Sequence, residues 1–362
     1  MAQEASALDA EAGRRPSIEG EGPAGWLDEV RTEVDAYLAR FFDERRAHAR
    51  RLLGRGERDS VLLDALAELT TRGGKRLRPA VLVAALSAVR PSGSVRDVLS
   101  ACASLELLQS YLLIHDDWMD GDLHRRGGPS VHARLRETEG QNGDALAILA
   151  GDLGSALAWE LMLDAAWCSP RGHEVTQTFA RIHQEVVLGQ EMDLVGSTDV
   201  SRMQRLKTGS YTVAGPLRLG ALLGGASEPQ LRALERFGSP LGEAFQIRDD
   251  LLGTFGDARE MGKTTGGDLR VGKRTALLRE LEESVPEGER GPVLRVLGRA
   301  ASDAEIEAAR RALITTGVRA RVEARLETLL DDACAALEGG VLAEPGVSML
   351  AELAGALTFR RS

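Results

Sequence analysis

LELLQSYLLIHDDWMDGD, residues 105–122, decides how this chain folds. Residues 105–114 are mostly apolar and show no alternation of period two, which favours a helix with a buried face over a strand. The stretch then turns abruptly charged at Asp116, Asp117, Asp120 and Asp122, and His124, Arg125 and Arg126 follow. A helix written this way must run from the interior to the surface. On it, Asp116 and Asp120 share a face one turn apart, with Asp117 beside them.

The rest of the chain extends that reading. Of 362 residues, 43% are hydrophobic, enough for a sizeable core, and only 4% are aromatic, while Ala, Leu, Arg and Glu lean the composition towards helix. Apolar residues recur at three- and four-residue spacing from Leu27 through Phe42, predicting a first helix. A second is expected to be capped at Asp59 or Ser60 and to stop at Gly73-Gly74. Pro79 is expected to open a third, running to about Val89, before the long helix ending at Asp120-Gly121. Further helices are expected over 142–167, 171–196, 201–223 and 229–253, with shorter ones from 274 onward. Fold class is therefore all-α: one helical domain over 26–362 around a central apolar cavity, with 1–25 as a disordered acidic tail. No repeat of 20–50 residues is apparent.

Composition also narrows function. A net charge of −10 argues against a nucleic-acid surface. Apolar runs such as 80–86 fall short of the roughly 18 residues a membrane span needs, and the first 25 residues lack a secretory h-region, so a soluble, cytoplasmic protein is expected. Cys102, Cys168 and Cys334 are widely spaced and read as small buried thiols.

The acidic helix end admits two readings, a solvated terminus paired with Arg125 and Arg126 or a site for a hard cation such as Mg²⁺. A second pair, Asp249-Asp250 in Phe245-Gln246-Ile247-Arg248-Asp249-Asp250, again follows apolar sequence, where unpaired charge is costly. Basic residues are equally local: Gly73-Gly74-Lys75-Arg76-Leu77-Arg78-Pro79, Arg125-Arg126-Gly127-Gly128, Lys207-Thr208, and the loop from Gly262-Lys263 to Gly272-Lys273-Arg274. Glycines beside cations let backbone N–H groups approach an anion. Together the clusters suggest two diphosphate pockets, one bridged by metal to carboxylates and one held by Lys and Arg alone.

In this order the motifs resemble those of the trans-isoprenyl diphosphate synthases, the polyprenyl synthetase family, over about residues 30–280. Asp116-Asp117-Trp118-Met119-Asp120 is similar to the first aspartate-rich motif, Gly73 to Pro79 to the GGKRLRP motif, and Lys207-Thr208 to the KT pair. Phe245-Gln246 with Asp249-Asp250 resembles the second aspartate-rich motif. The resemblance implies an all-α homodimer of the short-chain kind. It would join isopentenyl diphosphate to an allylic diphosphate with three Mg²⁺ ions per active site, Mn²⁺ being a substitute. Asp116, Asp120 and Asp249 would ligate metal, with Asp117 and Asp250 in support. Lys75, Arg78, Arg126 and position 109 would take isopentenyl diphosphate. Arg125, Lys207, Lys263 and Lys273 would hold the allylic diphosphate, with Thr208 and Gln246 placing oxygen dipoles near the developing cation.

Two positions depart from the family pattern. Gln109 stands where many members carry histidine, and Gly253 occupies the fifth place of the second acidic motif, the next carboxylate being Asp257. Below the first motif, Leu112 lies one turn beneath Asp116 with Tyr111 beside it, and Trp118, roughly opposite Asp116, is expected in the core. In the family an aromatic residue at the fifth position before the motif with a smaller one at the fourth resembles C20 producers, so geranylgeranyl diphosphate is the first expectation and farnesyl diphosphate the second. Three rival readings are a class I terpene cyclase, a non-catalytic regulatory subunit and a generic helical scaffold. Lys75 and Arg78 oppose the first, and the two surviving Asp pairs the second.

Overall fold

A computed structural model describes residues 25–54, 60–197, 199–256 and 266–358. The expected tail thus lies outside the described residues, Gly25 excepted, as do Asp257 and Lys263. The described chain is helical apart from one short hairpin, so the all-α expectation holds.

Helices α1 (Gly25–Leu53), α2 (Val61–Thr71), α3 (Leu77–Val89) and α4 (Leu99–Asp120) build the first half. Ser60 caps α2 through its hydroxyl, which accepts from Leu63 N. Gly121 closes α4 in the left-handed conformation at φ +70°, which a residue without Cβ adopts cheaply. Helix α3 begins at Leu77 rather than at Pro79, which sits in the first turn, where its missing N–H costs nothing. A two-residue ladder, β1 (His124–Arg125) with β2 (Gly128–Pro129), and α5 (Val131–Glu139) follow, neither foreseen from periodicity.

The most extensive helix contact among the described residues joins α4 to α6 (Gly143–Trp167). By composition and length alone, Val95–Asp120 and Val131–Trp167 could cross a membrane, contrary to the expectation of short apolar runs. Packing accounts for both: 61% and 44% of their most apolar windows are buried inside the fold, and Ser104 ties α4 to α6 by donating to Ala158 O at 2.6 Å.

Helices α7 (Gly172–Leu194), α8 (Val200–Gln204), α9 (Gly215–Leu223) and α10 (Glu228–Phe255) form the second half, with shorter helices at Ala276–Ser284, Asp303–Thr315, Val318–Ala335 and Gly346–Thr358. The helix expected over 201–223 is interrupted: Arg205–Ala214 is π-helical, a wide-turn form that clusters at functional sites. It crosses α7 at Gly189, where an added Cβ would lie 2.4 Å from Lys207 N. Cys102 is buried as expected, but Cys168 and Cys334 are exposed: Cys168 lies in the turn just past α6, and Cys334 on the outer face of the helix Val318–Ala335.

One polar group inside this core organises its neighbours. The Arg76 side chain is 1% exposed, at φ +46°, and pairs with Glu106 of α4, 3% exposed, and with Asp35 of α1 at 2.7 Å. It also donates to Thr70 O of α2 at 2.9 Å. Burial pulls the Arg76 guanidinium down, and Glu106 and Asp35 more than reverse this, leaving it above its ordinary value.

Glu106→Ala should therefore destabilise the protein by about 3 kcal/mol in denaturant titration, since it removes the buried carboxylate and leaves Arg76 with only the part-exposed Asp35 as a charged partner. Gly189→Ala should lower stability by about 1–3 kcal/mol through its clash with the π-helical backbone. At Gly242 of α10 nothing lies within 4 Å of an added Cβ, so Gly242→Ala should leave stability unchanged or raise it by up to about 1 kcal/mol.

Candidate active site

Helix α4 delivers the first acidic motif. Asp117 is buried and turns inward, where Arg125 Nε donates to its Oδ1 at 2.7 Å and Arg125 Nη2 makes a second, shorter contact. Burial pushes the Asp117 carboxyl up, and Arg125 opposes it. Asp116 is half-buried and Asp120 exposed. Partial burial, then the Asp116 charge, push the Asp120 carboxyl up, the effect of two carboxylates stacked one turn apart. Trp118, expected in the core, is 39% exposed: it shares the outer face of this last turn with Met119.

The π segment brings Lys207 to Asp116. Its Nζ lies 3.2 Å from Asp116 Oδ1 and 2.6 Å from Asp193 Oδ2 at the end of α7. Burial pulls the ammonium down, while the Asp193 hydrogen bond and the Asp116 charge carry it above its ordinary value. Asp193 was not singled out in the sequence. Its signal is local, because Gly189 four residues earlier sets how closely α7 meets Lys207. Thr208 is half-buried beside Lys207.

Arg125 and Arg126 sit on the short hairpin. Arg72 holds it by donating to Arg125 O at 2.9 Å and Pro129 O at 2.8 Å, and an added Cβ at Gly128 would meet Arg72 Nη1 at 2.7 Å. Arg126, at φ +51°, donates to Leu69 O at 3.2 Å. Its guanidinium is pulled down first by burial, with Arg76, Arg78 and Arg125 adding to the effect and Glu106 opposing it. Gly74 packs against Arg126, an added Cβ there lying 3.9 Å from Arg126 Cζ. Arg78 stacks on the Tyr211 ring at 4.1 Å and donates to Thr212 at 3.2 Å. Arg78 and Arg126 thus lie close enough for their charges to interact, near the chain turn that carries the exposed Lys75, a field that attracts anions. Gln109 is half-buried on α4, two turns below Asp116.

The second acidic motif lies at the end of α10. Asp249 is exposed, whereas both Asp250 oxygens are engaged. Oδ2 accepts from Ala276 N at 2.9 Å, and Oδ1 accepts from Gln246 at 3.1 Å and faces Lys273 Nζ at 3.2 Å. Burial pulls Lys273 down, and Asp250 and Asp268 raise it above its ordinary value. Gln246, Ile247 and Asp250 border a cavity of about 790 Å³ between the π segment, α9 and α10, also lined by Leu217 and Leu234. Tyr111 and Leu112 are not among its lining residues. Both are half-buried on α4, the Tyr111 ring packing edge-on to His115 at 4.9 Å and to His183 at 5.2 Å.

These groups suit a divalent cation. Asp116 Oδ1 and Asp117 Oδ2 are buried and accept no hydrogen bond among the described residues, Lys207 approaching the former as an ion pair only. Among the described residues, no three His, Cys, Asp or Glu side chains converge there into a closed cage. An open set of carboxylates matches Mg²⁺, which takes one or two protein oxygens and completes its shell with water and phosphate.

Comparison with known proteins agrees with this geometry. The polyprenyl synthetase family matches residues 59–313. The short chain isoprenyl diphosphate synthase of Methanocaldococcus jannaschii is 34% identical over 67% of this chain and 72% of its own length. The geranylfarnesyl diphosphate synthase of Natronomonas pharaonis is 36% identical over 71% of this chain and 77% of its own. Among solved structures, a geranylgeranyl pyrophosphate synthase from Corynebacterium glutamicum, complexed with isoprenyl diphosphate and magnesium, superimposes with a TM-score of 0.79 at 30% identity, covering 92% of this chain and 99% of that one. By its matched span, its fold and the order of its acidic and basic motifs, the chain belongs to the polyprenyl synthetase family.

Proposed function

We propose that the protein is a prenyltransferase that condenses isopentenyl diphosphate with an allylic diphosphate, head to tail, to give a short-chain all-trans prenyl diphosphate. What supports this reading is the presence of two kinds of charged group: Asp116 and Asp120 stand with Lys207, and Arg78 and Arg126 lie close enough for their charges to interact, which suits one metal-bridged and one purely cationic diphosphate site. A terpene cyclase, with a single diphosphate to hold, has no use for the second pocket.

In this reading Lys75, Arg78, Arg126 and Gln109 bind isopentenyl diphosphate, and Arg125, Lys207, Lys263 and Lys273 bind the allylic diphosphate. Asp116, Asp120 and Asp249 hold Mg²⁺, three ions per site with Mn²⁺ able to replace them, and the bound metal neutralises charge on the leaving diphosphate. Asp117 and Asp250 act one step back: Asp117 aims Arg125, and Asp250 aims Lys273 and Gln246. The allylic C–O bond breaks with its electron pair going to diphosphate, the isopentenyl double bond attacks the resulting cation, and a proton leaves to the released diphosphate. Lys207 and Arg125 stabilise the departing charge. The oxygens of Thr208 and Gln246 face the cation, and the apolar walls keep out the water that would quench it.

Product length is assigned to Tyr111 and Leu112, with C20 first and C15 second. The half-buried Tyr111 ring, backed by His115 and His183, suits a floor that a growing chain meets. A homodimer in the cytoplasm completes the proposal.

The deciding experiment incubates purified protein with Mg²⁺, isopentenyl diphosphate and each of the C5, C10 and C15 allylic diphosphates, and measures product length. Elongation to C20 is expected, and no elongation with any primer overturns the reading. Asp116→Ala should lower turnover by at least about 100-fold with an unchanged melting temperature, and near-normal rates would refute its metal role. Tyr111→Ala should lengthen the product, whereas an unchanged distribution would place the floor elsewhere.

A further inference from the structure

Arg125 and Arg126, which the proposed function assigns to different substrates, share one hairpin, in which His124 pairs with Pro129 and Arg125 with Gly128. Its loop is the pair Arg126-Gly127, at φ +51° and +74°. A two-residue loop with both φ positive matches the right-handed twist of the strands, but it favours Asn or Gly at its first position. An arginine there is strained, and so short a ladder cannot hold it alone.

Arg72 supplies the restraint from the end of α2. Its backbone N–H closes the helix on Glu68 O at 2.9 Å, which fixes where its side chain starts. Nη1 donates to Arg125 O at 2.9 Å and to Pro129 O at 2.8 Å, one carbonyl on each strand, and Nη2 donates to Glu68 Oε1 at 2.7 Å. Glu68 is held in turn by Arg134 of α5. The guanidinium lies on Gly128: a Cβ built there would stand 2.7 Å from Nη1 and 2.8 Å from Cζ, so the bare Cα of glycine is what lets it sit there. Arg126 reaches the same helix end by donating to Leu69 O at 3.2 Å. The Arg72 side chain is 16% exposed, and its bonds engage it as a brace rather than as a cation offered to substrate.

We propose that Arg72 is a positioning residue: by bridging both strands it holds the Arg126-Gly127 loop in its strained form and sets the separation of the two arginines that receive the two diphosphates. The inference rests on the function proposed above, and it adds a residue that acts on both substrates through Arg125 and Arg126. One brace then serves two sites, so its loss is felt at both together. Lysine cannot replace it, because an ammonium lacks the planar fork that reaches two carbonyls and a carboxylate at once.

Steady-state kinetics on the full chain test this, with each diphosphate varied in turn while the other and Mg²⁺ are saturating. Arg72→Lys should raise KM for isopentenyl diphosphate and for the allylic diphosphate together, each by about 10-fold, whereas Arg126→Gln should raise the first alone. Gly128→Ala keeps Arg72 in the chain but pushes its guanidinium off the hairpin, and should reproduce the double rise with a melting temperature close to the parent's. Combining it with Arg72→Lys should add less than about 2-fold, since both changes remove one brace. Parental KM values in either single variant overturn the proposal, and so does a rise for one substrate only. A lowered melting temperature with both KM values unchanged also overturns it, because that is the mark of a merely structural residue. If the parent elongates no primer, the proposed function falls and this inference with it. If the parent elongates and Arg72→Lys keeps both KM values, this inference alone falls.

Discussion

The architecture of the mouth depends on one buried ion pair. Arg76 carries a full charge at 1% exposure, and Glu106, Asp35 and the carbonyl of Thr70 share its donors, so α1, α2, α4 and the start of α3 meet on a single guanidinium. Such a pair adds little net stability over an apolar substitute, but it has only one satisfactory geometry. That geometry sets the backbone between Gly73 and Leu77, from which Lys75 and Arg78 project. Left-handed residues at Arg76 and Arg126 cost free energy locally and persist because buried hydrogen bonds fix them on both sides.

The two Asp-Asp pairs show a shared division of labour. In each, the first aspartate, half-buried Asp116 or exposed Asp249, is more accessible than its buried neighbour, Asp117 or Asp250, about 100° round the helix. The buried member takes a cationic side chain, Arg125 in one case and Lys273 in the other. Adjacent identical residues thus do different work because a helix turns between them. The acidic helix ends are neither simple solvated termini nor closed metal cages.

Much of this was legible in the chain. Helical periodicity, the Ser60 cap and the Gly121 stop placed α2 and α4, and the order of motifs identified the family. Periodicity could not reveal the π-helical turns at 205–214, because the pattern of side chains changes little while the hydrogen-bond register shifts. Nor could it separate Arg76, which is structural, from Lys75 and Arg78 on either side, since that depends on Glu106 thirty residues away. Exposure of Trp118 and Cys334 was hidden for the same reason, since a helix position shows its face only when its neighbours are known, and Cys168 is exposed because α6 ends one residue before it. The packing of the Asp268 carboxylate against Gly253 was likewise hidden by their separation along the chain.

Helix α4 also carries a mechanical consequence. Tyr111 and Asp116 belong to one unbroken helix, so the spacing between the reacting end of a substrate and the depth at which its tail would be stopped is set by covalent geometry rather than by loops. Each added residue would advance that spacing by about 1.5 Å and swing the deeper side chains about 100° around the axis. If Tyr111 is the floor proposed above, inserting or deleting a residue between positions 111 and 116 would turn it out of the path altogether, so only exchanges of side chain at constant length would tune the depth, and the helix would behave as a ruler whose graduations can be repainted but not moved.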